Sequence, residues 1–195
     1  MKKSLSVFAA LALSHAVTNV ASADAPATSV DASAEAPAIT TTKLNAVNMA
    51  LLAGHGFKDA FKTGFGGRVG YTLPSKLHLG GSFVYHVGTT EGLVQSNVWY
   101  AGGEVGYDVI AGPLVIRPYA GFGAASISAS VTLPPVGQYP GGKASVSESR
   151  FAVWPGAMFL FPFEDGSAFV GVDAKFLVVD NASAFNTYGT FGLAF

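Results

Sequence analysis

Three sets of residues in this 195-residue chain have types and spacing that could do chemistry. His86, Glu91 and Ser96 supply the base, acid and hydroxyl of a hydrolase, but no nucleophile motif surrounds Ser96 to activate it. His78 and His86 are metal-ligand types, yet on one extended strand at about 3.4 Å per residue they would stand roughly 27 Å apart. Neither His55 nor His78 has an evident partner. The third set is six charges embedded in Gly-rich, apolar surroundings: Arg68, Glu104, Asp108, Arg117, Asp173 and Lys175, three positive and three negative. Buried charges persist when they are paired and hydrogen-bonded, so this set reads as a salt-bridge network filling an interior. A constricted polar pathway for ions is the alternative. No catalytic residue, cofactor or metal site is expected.

Something must hold those six charges away from water, and the chain is built for it. Half of its residues are hydrophobic and 12% are charged, against about 25% charged in an average soluble domain. After the opening segment no apolar run approaches the roughly 18 residues that a spanning helix needs. The hydrophobic residues follow a two-residue rhythm instead, the signature of strands with two unlike faces. Cutting at turn signals gives eight strands, at about 44–54, 63–73, 77–88, 98–110, 114–128, 150–163, 168–180 and 187–195.

The two faces differ in kind. Over 77–88, Leu77, Leu79, Phe83, Tyr85 and Val87 share one side, opposed by His78, Gly80, Ser82, Val84 and His86. In 63–73, Phe65, Val69, Tyr71 and Leu73 oppose Gly64, Gly66, Arg68, Gly70 and Thr72. In 168–180 the apolar side carries Val170, Val172, Phe176 and Val178, the other Asp173 and Lys175. By parity all six charges fall on the face rich in small residues. A soluble sandwich or lipocalin-like carrier would turn a face dense in Lys, Glu, Thr and Gln to water. Here the second face is mostly Gly, Ala and Ser, which suits a crowded interior.

A closed barrel in lipid reconciles these features. Hydrocarbon offers no hydrogen bonds, so every backbone group must pair within the barrel, and spanning strands need roughly 9 to 11 residues with an outward apolar band. At eight strands the bore is narrow enough for side chains to fill. The connections alternate between tight turns at 74–76, 111–113 and 164–167 and longer ones at about 56–62, 89–97, 130–148 and 181–186. Such barrels place short turns on the periplasmic side and long loops outside. Tyr71, Tyr107 and Phe161 fall near the short turns and Tyr85, Trp99 and Phe151 near the long loops, as two interfacial aromatic girdles require.

The first 23 residues read as an export signal, with Lys2 and Lys3 before an apolar stretch and the small-residue site Ala21-Ser22-Ala23; a retained anchor is the alternative. Cleavage there leaves 9 basic and 12 acidic residues, with no basic cluster to suit nucleic acid. Residues 24–43, rich in Ala, Pro, Ser and Thr, read as a flexible periplasmic leader. Without cysteine the chain has no disulfide framework and no lipoprotein anchor.

From about Leu44 to Phe195 the chain resembles the OmpA-type and opacity-type family of eight-stranded outer membrane β-barrels. Two stretches carry the likeness: Pro118-Tyr119-Ala120-Gly121-Phe122-Gly123, similar to a strand motif of that family, and the ending Gly189-x-Phe191-x-Leu193-x-Phe195. The resemblance implies an all-β, antiparallel up-and-down transmembrane barrel in the bacterial outer membrane. It also implies that the ending is the signal read by the barrel assembly machinery, with periplasmic chaperones as partners in transit, before the last strand closes against the first. The match covers the barrel alone, so attachment to the cell wall is not implied. Expected partners are the outer membrane lipids and an extracellular ligand at the loop 131–148, where Pro134, Pro135 and Pro140 limit motion and Tyr139 offers an amphipathic handle. The expected state is a monomer with a structural or surface-binding role. A narrow porin-like pore and a lipid A-modifying enzyme are the alternatives within this architecture.

Overall fold

The computed structural model describes residues 47–195 except 59, 60, 135, 136, 139, 140, 165, 181 and 182. The export signal at 1–23, the leader at 24–43 and the start of the first strand lie outside the described residues, as do Pro135, Tyr139 and Pro140. The elements of the described chain are all strands: β1 (Val47–Gly56), β2 (Thr63–Thr72), β3 (Leu77–Val87), β4 (Thr90–Glu91), β5 (Val94–Tyr107), β6 (Val109–Ala111), β7 (Leu114–Leu133), β8 (Gly142–Pro162), β9 (Ala168–Val179) and β10 (Ala184–Ala194). Each long strand pairs antiparallel with its sequence neighbours, and β1 pairs with β10, so the sheet closes into an eight-stranded barrel. The short pieces β4 and β6 extend the hairpins β3–β5 and β5–β7.

Closure is staggered. Stepping across the sheet from Val47 through Tyr71, Leu79, Val105, Ala120 and Pro155, then Phe176 and Phe185, returns to β1 at Phe57, about ten residues up the strand. Such shear tilts the strands and fixes the bore, which at eight strands is filled by side chains.

The tight turns sit at one end together with both ends of the described chain. Leu73 N–H donates to Leu77 O at 2.8 Å, and Phe163 N–H to Ala168 O at 2.9 Å. Gly112 turns the chain between β6 and β7 with φ 62°, whereas Lys76 adopts φ 68° despite its side chain, a position glycine would take more readily. At this end Phe195 N–H donates to Val47 O, so the last residue is stitched to the first strand.

Burial runs opposite to that of a water-soluble sandwich. Leu79, Val105, Val172 and Phe191 project outward with 39–50% of their surface exposed, and Leu51 reaches 71%. Arg117, Asp173 and Lys175, by contrast, are at most 1% exposed. The strict two-residue period therefore sorts a large apolar exterior from a charged interior.

Four strands run further than their sequence patterns suggest. The loop expected at 130–148 is largely hairpin, because β7 continues to Leu133 and β8 begins at Gly142, paired in unbroken register from Val115↔Leu160 to Leu133↔Gly142. Likewise β5 starts at Val94 and β10 at Ala184, inside segments expected to be loops. Strand pairing beyond the barrel rim needs no apolar face, so hydroxyl residues such as Ser128, Ser130, Ser145 and Ser147 extend the ladder into what reads as loop. A second departure concerns Asp108, which lies between β5 and β6 and not within one strand. Pro118, across from this break, has no N–H to donate, and the β5–β7 ladder stops at Gly106↔Tyr119 and resumes at Val109↔Ile116. Pro155 interrupts the β8–β9 ladder in the same way, between Val153↔Val178 and Gly156↔Lys175.

Candidate functional site

The site is the lumen, and alternation builds it. Inward positions carry long polar side chains and aromatics beside small residues, with aliphatic side chains such as Leu52, Val84, Leu160 and Leu177 filling between them. Trp154 lies over Gly121, where an added Cβ would fall 1.9 Å from its Nε1, and Phe169 lies over Gly192, with its Cζ 2.1 Å from such a Cβ. These glycines are required by close approach.

Arg68 is the hub. Its Nε donates to Glu104 Oε2 at 2.6 Å and its Nη2 to both Glu104 Oε1 at 3.1 Å and Asp173 Oδ2 at 3.0 Å. The guanidinium also lies 5.0 Å from the centroid of the Tyr119 ring, a cation–π contact, and directs Nη1 at Met158 Sδ, 2.8 Å away. The carboxylates have further donors. Glu104 Oε1 accepts from Ser82 Oγ at 2.7 Å and Trp154 Nε1 at 2.8 Å, and Asp173 Oδ1 accepts from Tyr119 Oη at 2.6 Å. Lys175 Nζ is 3.3 Å from Asp173 Oδ2, with the rings of Tyr188 and Tyr100 at 4.9 and 5.3 Å.

A second cluster lies towards the short turns. Arg117 makes a two-pronged pair with Asp108, Nε to Oδ1 at 2.5 Å and Nη2 to Oδ2 at 2.9 Å, and its Nη2 also reaches Thr72 Oγ1 at 3.2 Å. Thr72 in turn bonds His78 Nδ1 at 3.0 Å. Towards the long loops, His86 Nε2 and Tyr188 Oη are 2.8 Å apart, and Tyr188 Oη and Tyr100 Oη 3.0 Å. Above them Phe61, from the connection between β1 and β2, packs its ring edge-on against His86 at 5.3 Å and is 1% exposed.

The structure thus brings together all six charges singled out in the sequence, in two groups: Arg68, Glu104, Asp173 and Lys175 at mid-height, and Arg117 with Asp108 below. It gives His78 a partner, Thr72, that the sequence did not suggest. His86 turns inward to Tyr188, whereas Ser96 lies in the outer part of β5, where its N–H donates to Thr89 O. The buried aromatics Tyr100, Tyr119, Trp154 and Tyr188 were missed by a search for charges, although strand parity already placed them on the charged face. Phe61 carried no such signal, because its burial depends on the path of a connection.

On the outside, Tyr71, Tyr107 and Phe161 project at the short-turn end, and Tyr85 and Phe151 near the long loops. Trp99 is half-buried beside Phe83, 6.2 Å between ring centres. Gly189, Phe191 and Leu193 face outward from β10, opposite Ala53, Leu51 and Met49 of β1, and Phe195 follows at 71% exposure.

No family model and no curated protein sequence matches the chain. Solved structures match its fold. A major outer membrane protein from Thermus thermophilus superposes with a TM-score of 0.56 at 12% identity, over 76% of this chain and 99% of that one. Neisserial surface protein A superposes with a TM-score of 0.51 at 16% identity, over 76% and 96% of the two chains. At these identities the likeness is one of fold, the closed eight-stranded antiparallel barrel.

Proposed function

We propose that the protein is an integral outer membrane barrel, exported through the secretory pathway, with a structural and surface-binding role and a sealed lumen. The carrying observation is the pairing of an apolar exterior with an interior in which three cations and three anions are buried against one another. In water the exterior would be a continuous adhesive surface far beyond what monomeric soluble proteins tolerate; in hydrocarbon it is solvated. The paired, buried charges filling the interior favour a plug over a conducting pathway. Membrane lipids are then the permanent partners, and the outward row Gly189, Phe191, Leu193 and Phe195 is available to the assembly machinery before β10 zips to β1.

The surface-binding part of the role rests on the sheet that β5, β7 and β8 form beyond the rim. Residues 142–149 of β8 are exposed on both faces, and the β8–β9 pairing begins only at Ala152. This projecting sheet is the element that would meet an extracellular ligand.

Two measurements test the proposal. A closed barrel in membrane or detergent stays compact in SDS until boiled, so unboiled protein should migrate ahead of boiled protein; release of the folded protein into buffer by osmotic shock would defeat the membrane reading. In planar bilayers the wild type should carry no steady current. A wild-type conductance altered by Arg117→Ala would replace the sealed lumen with a narrow pore.

A further inference from the structure

From mid-height towards the long loops, four buried side chains of the lumen form a directed chain that neither ion pairing nor sealing uses. Trp154 presses its indole against the barrel wall at Gly121, where no side chain stands between it and the strand backbone. Its ring centre lies 5.2 Å from that of Tyr100. Tyr100 Oη is 3.0 Å from Tyr188 Oη, which is 2.8 Å from His86 Nε2. The far end of the chain fixes where the protons lie. His86 Nδ1 faces Lys62 O at 3.4 Å, and a carbonyl can only accept, so Nδ1 carries the hydrogen and Nε2 is left as an acceptor. Tyr188 therefore donates to His86, and Tyr100 donates to Tyr188. All four side chains are at most 1% exposed.

We propose that this chain is a one-electron oxidation site: Trp154 gives an electron to an organic peroxyl radical arriving at the wall, and the oxidising equivalent settles on Tyr100 as a neutral tyrosyl radical. The peroxyl radical, with that electron and a proton from solvent, leaves as a hydroperoxide. Trp154 regains its electron from Tyr100. In the same step the Tyr100 hydroxyl proton passes to Tyr188 Oη and the Tyr188 proton to His86 Nε2, so the products are the Tyr100 radical, an intact Tyr188 and an imidazolium. Both protons move along existing hydrogen bonds, within the reach that proton transfer needs. Lys175 Nζ, 5.3 and 4.9 Å from the Tyr100 and Tyr188 ring centres, opposes a positively charged ring and so couples loss of the electron to loss of the proton. Glu104, which accepts the indole N–H at 2.8 Å, favours transient positive charge on Trp154. Tyr119 is built otherwise. Its proton acceptor, Asp173, is committed to Arg68 and Lys175, and the Arg68 guanidinium sits 5.0 Å from its ring centre, so Tyr119 keeps its electron. None of these transfers depends on whether lipid or water wets the outer wall.

The test uses the full chain, folded in detergent, with Trp99→Phe so that Trp154 is the only indole. A flash at the red edge of indole absorption, outside that of tyrosine, ionises Trp154 in the presence of an electron scavenger, and transient absorption follows the radicals. The indole radical should decay as a tyrosyl radical grows. Adding Tyr100→Phe should abolish that growth and leave the indole radical long-lived. Adding His86→Phe instead should slow the growth and remove its solvent deuterium isotope effect. With a thermal azo initiator as the source of peroxyl radicals, the Trp99→Phe barrel should delay bleaching of a reporter dye for longer than the same barrel carrying Tyr100→Phe. Tyrosyl growth unchanged by Tyr100→Phe, no tyrosyl growth in the folded parent, or equal bleaching delays would each overturn the proposal. Unboiled gel migration restricts the comparison to variants that close the barrel, and Tyr100→Phe removes only an oxygen, keeping the ring that packs beside Trp154.

Discussion

The lower barrel and the sheet that projects above it are made from the same strands, yet they keep opposite rules. Within the barrel, β7 and β8 alternate Phe122 and Phe151 outward with Tyr119, Gly121 and Trp154 inward, and Tyr119 Oη and Trp154 Nε1 each donate to a buried carboxylate. Beyond the rim the same two strands carry Ser128, Ser130, Ser145 and Ser147, and the charges there pair in the open, as Arg150 does with Glu148 at 2.5 Å and Asp180 at 2.9 Å. Closure makes the difference. Where the sheet is a tube, each residue faces an apolar outer wall or a packed lumen; where it is a ribbon, the alternation loses its energetic consequence.

That contrast can be broken by substitution, and the largest effect belongs to the hub. Arg68→Ala leaves Glu104 and Asp173 buried without their shared cation and should destabilise the folded barrel by about 3–5 kcal/mol, read as a lower urea midpoint for unfolding from vesicles. On the outer wall, Leu51→Arg sets a cation in the apolar band and should cost about 2–4 kcal/mol; the same experiment performed on a barrel whose outside faced water would register almost nothing. Gly121→Ala drives a methyl group into the Trp154 indole, and a loss of about 1–3 kcal/mol is expected from overpacking, with a change in tryptophan fluorescence. The smallest effect should come from the projecting sheet. Ser147→Lys ought to shift stability by no more than about 0.5 kcal/mol, and a shift comparable to that of Leu51→Arg would mean that the ribbon is packed against something.

How much of this was legible in the sequence follows from the same contrast. Parity along 63–73 and 168–180 was enough to assign Arg68, Asp173 and Lys175 to the interior, because a one-residue period error would have put Phe65 and Phe176 there instead. Strand ends were not legible where the apolar signal stops before the hydrogen bonding does, as in Ser145 and Ser147 of β8. Nor was the break at Asp108, which arises from the missing N–H of Pro118 on a neighbouring strand, a residue distant in sequence until register is known. The partners of the charges were hidden for a related reason. Trp154 and Tyr119 could be assigned to a face, but which carboxylate each reaches depends on the shear of the closed sheet.

The two prolines in the wall carry a mechanical consequence. Pro118 loosens the junction of β7 with β5, and Pro155 that of β8 with β9, while β7 and β8 remain joined to each other without a gap. The pair is therefore a stiff double plank set between two weakened seams. A load that bends the wall would concentrate at those seams and tilt the two strands as a unit.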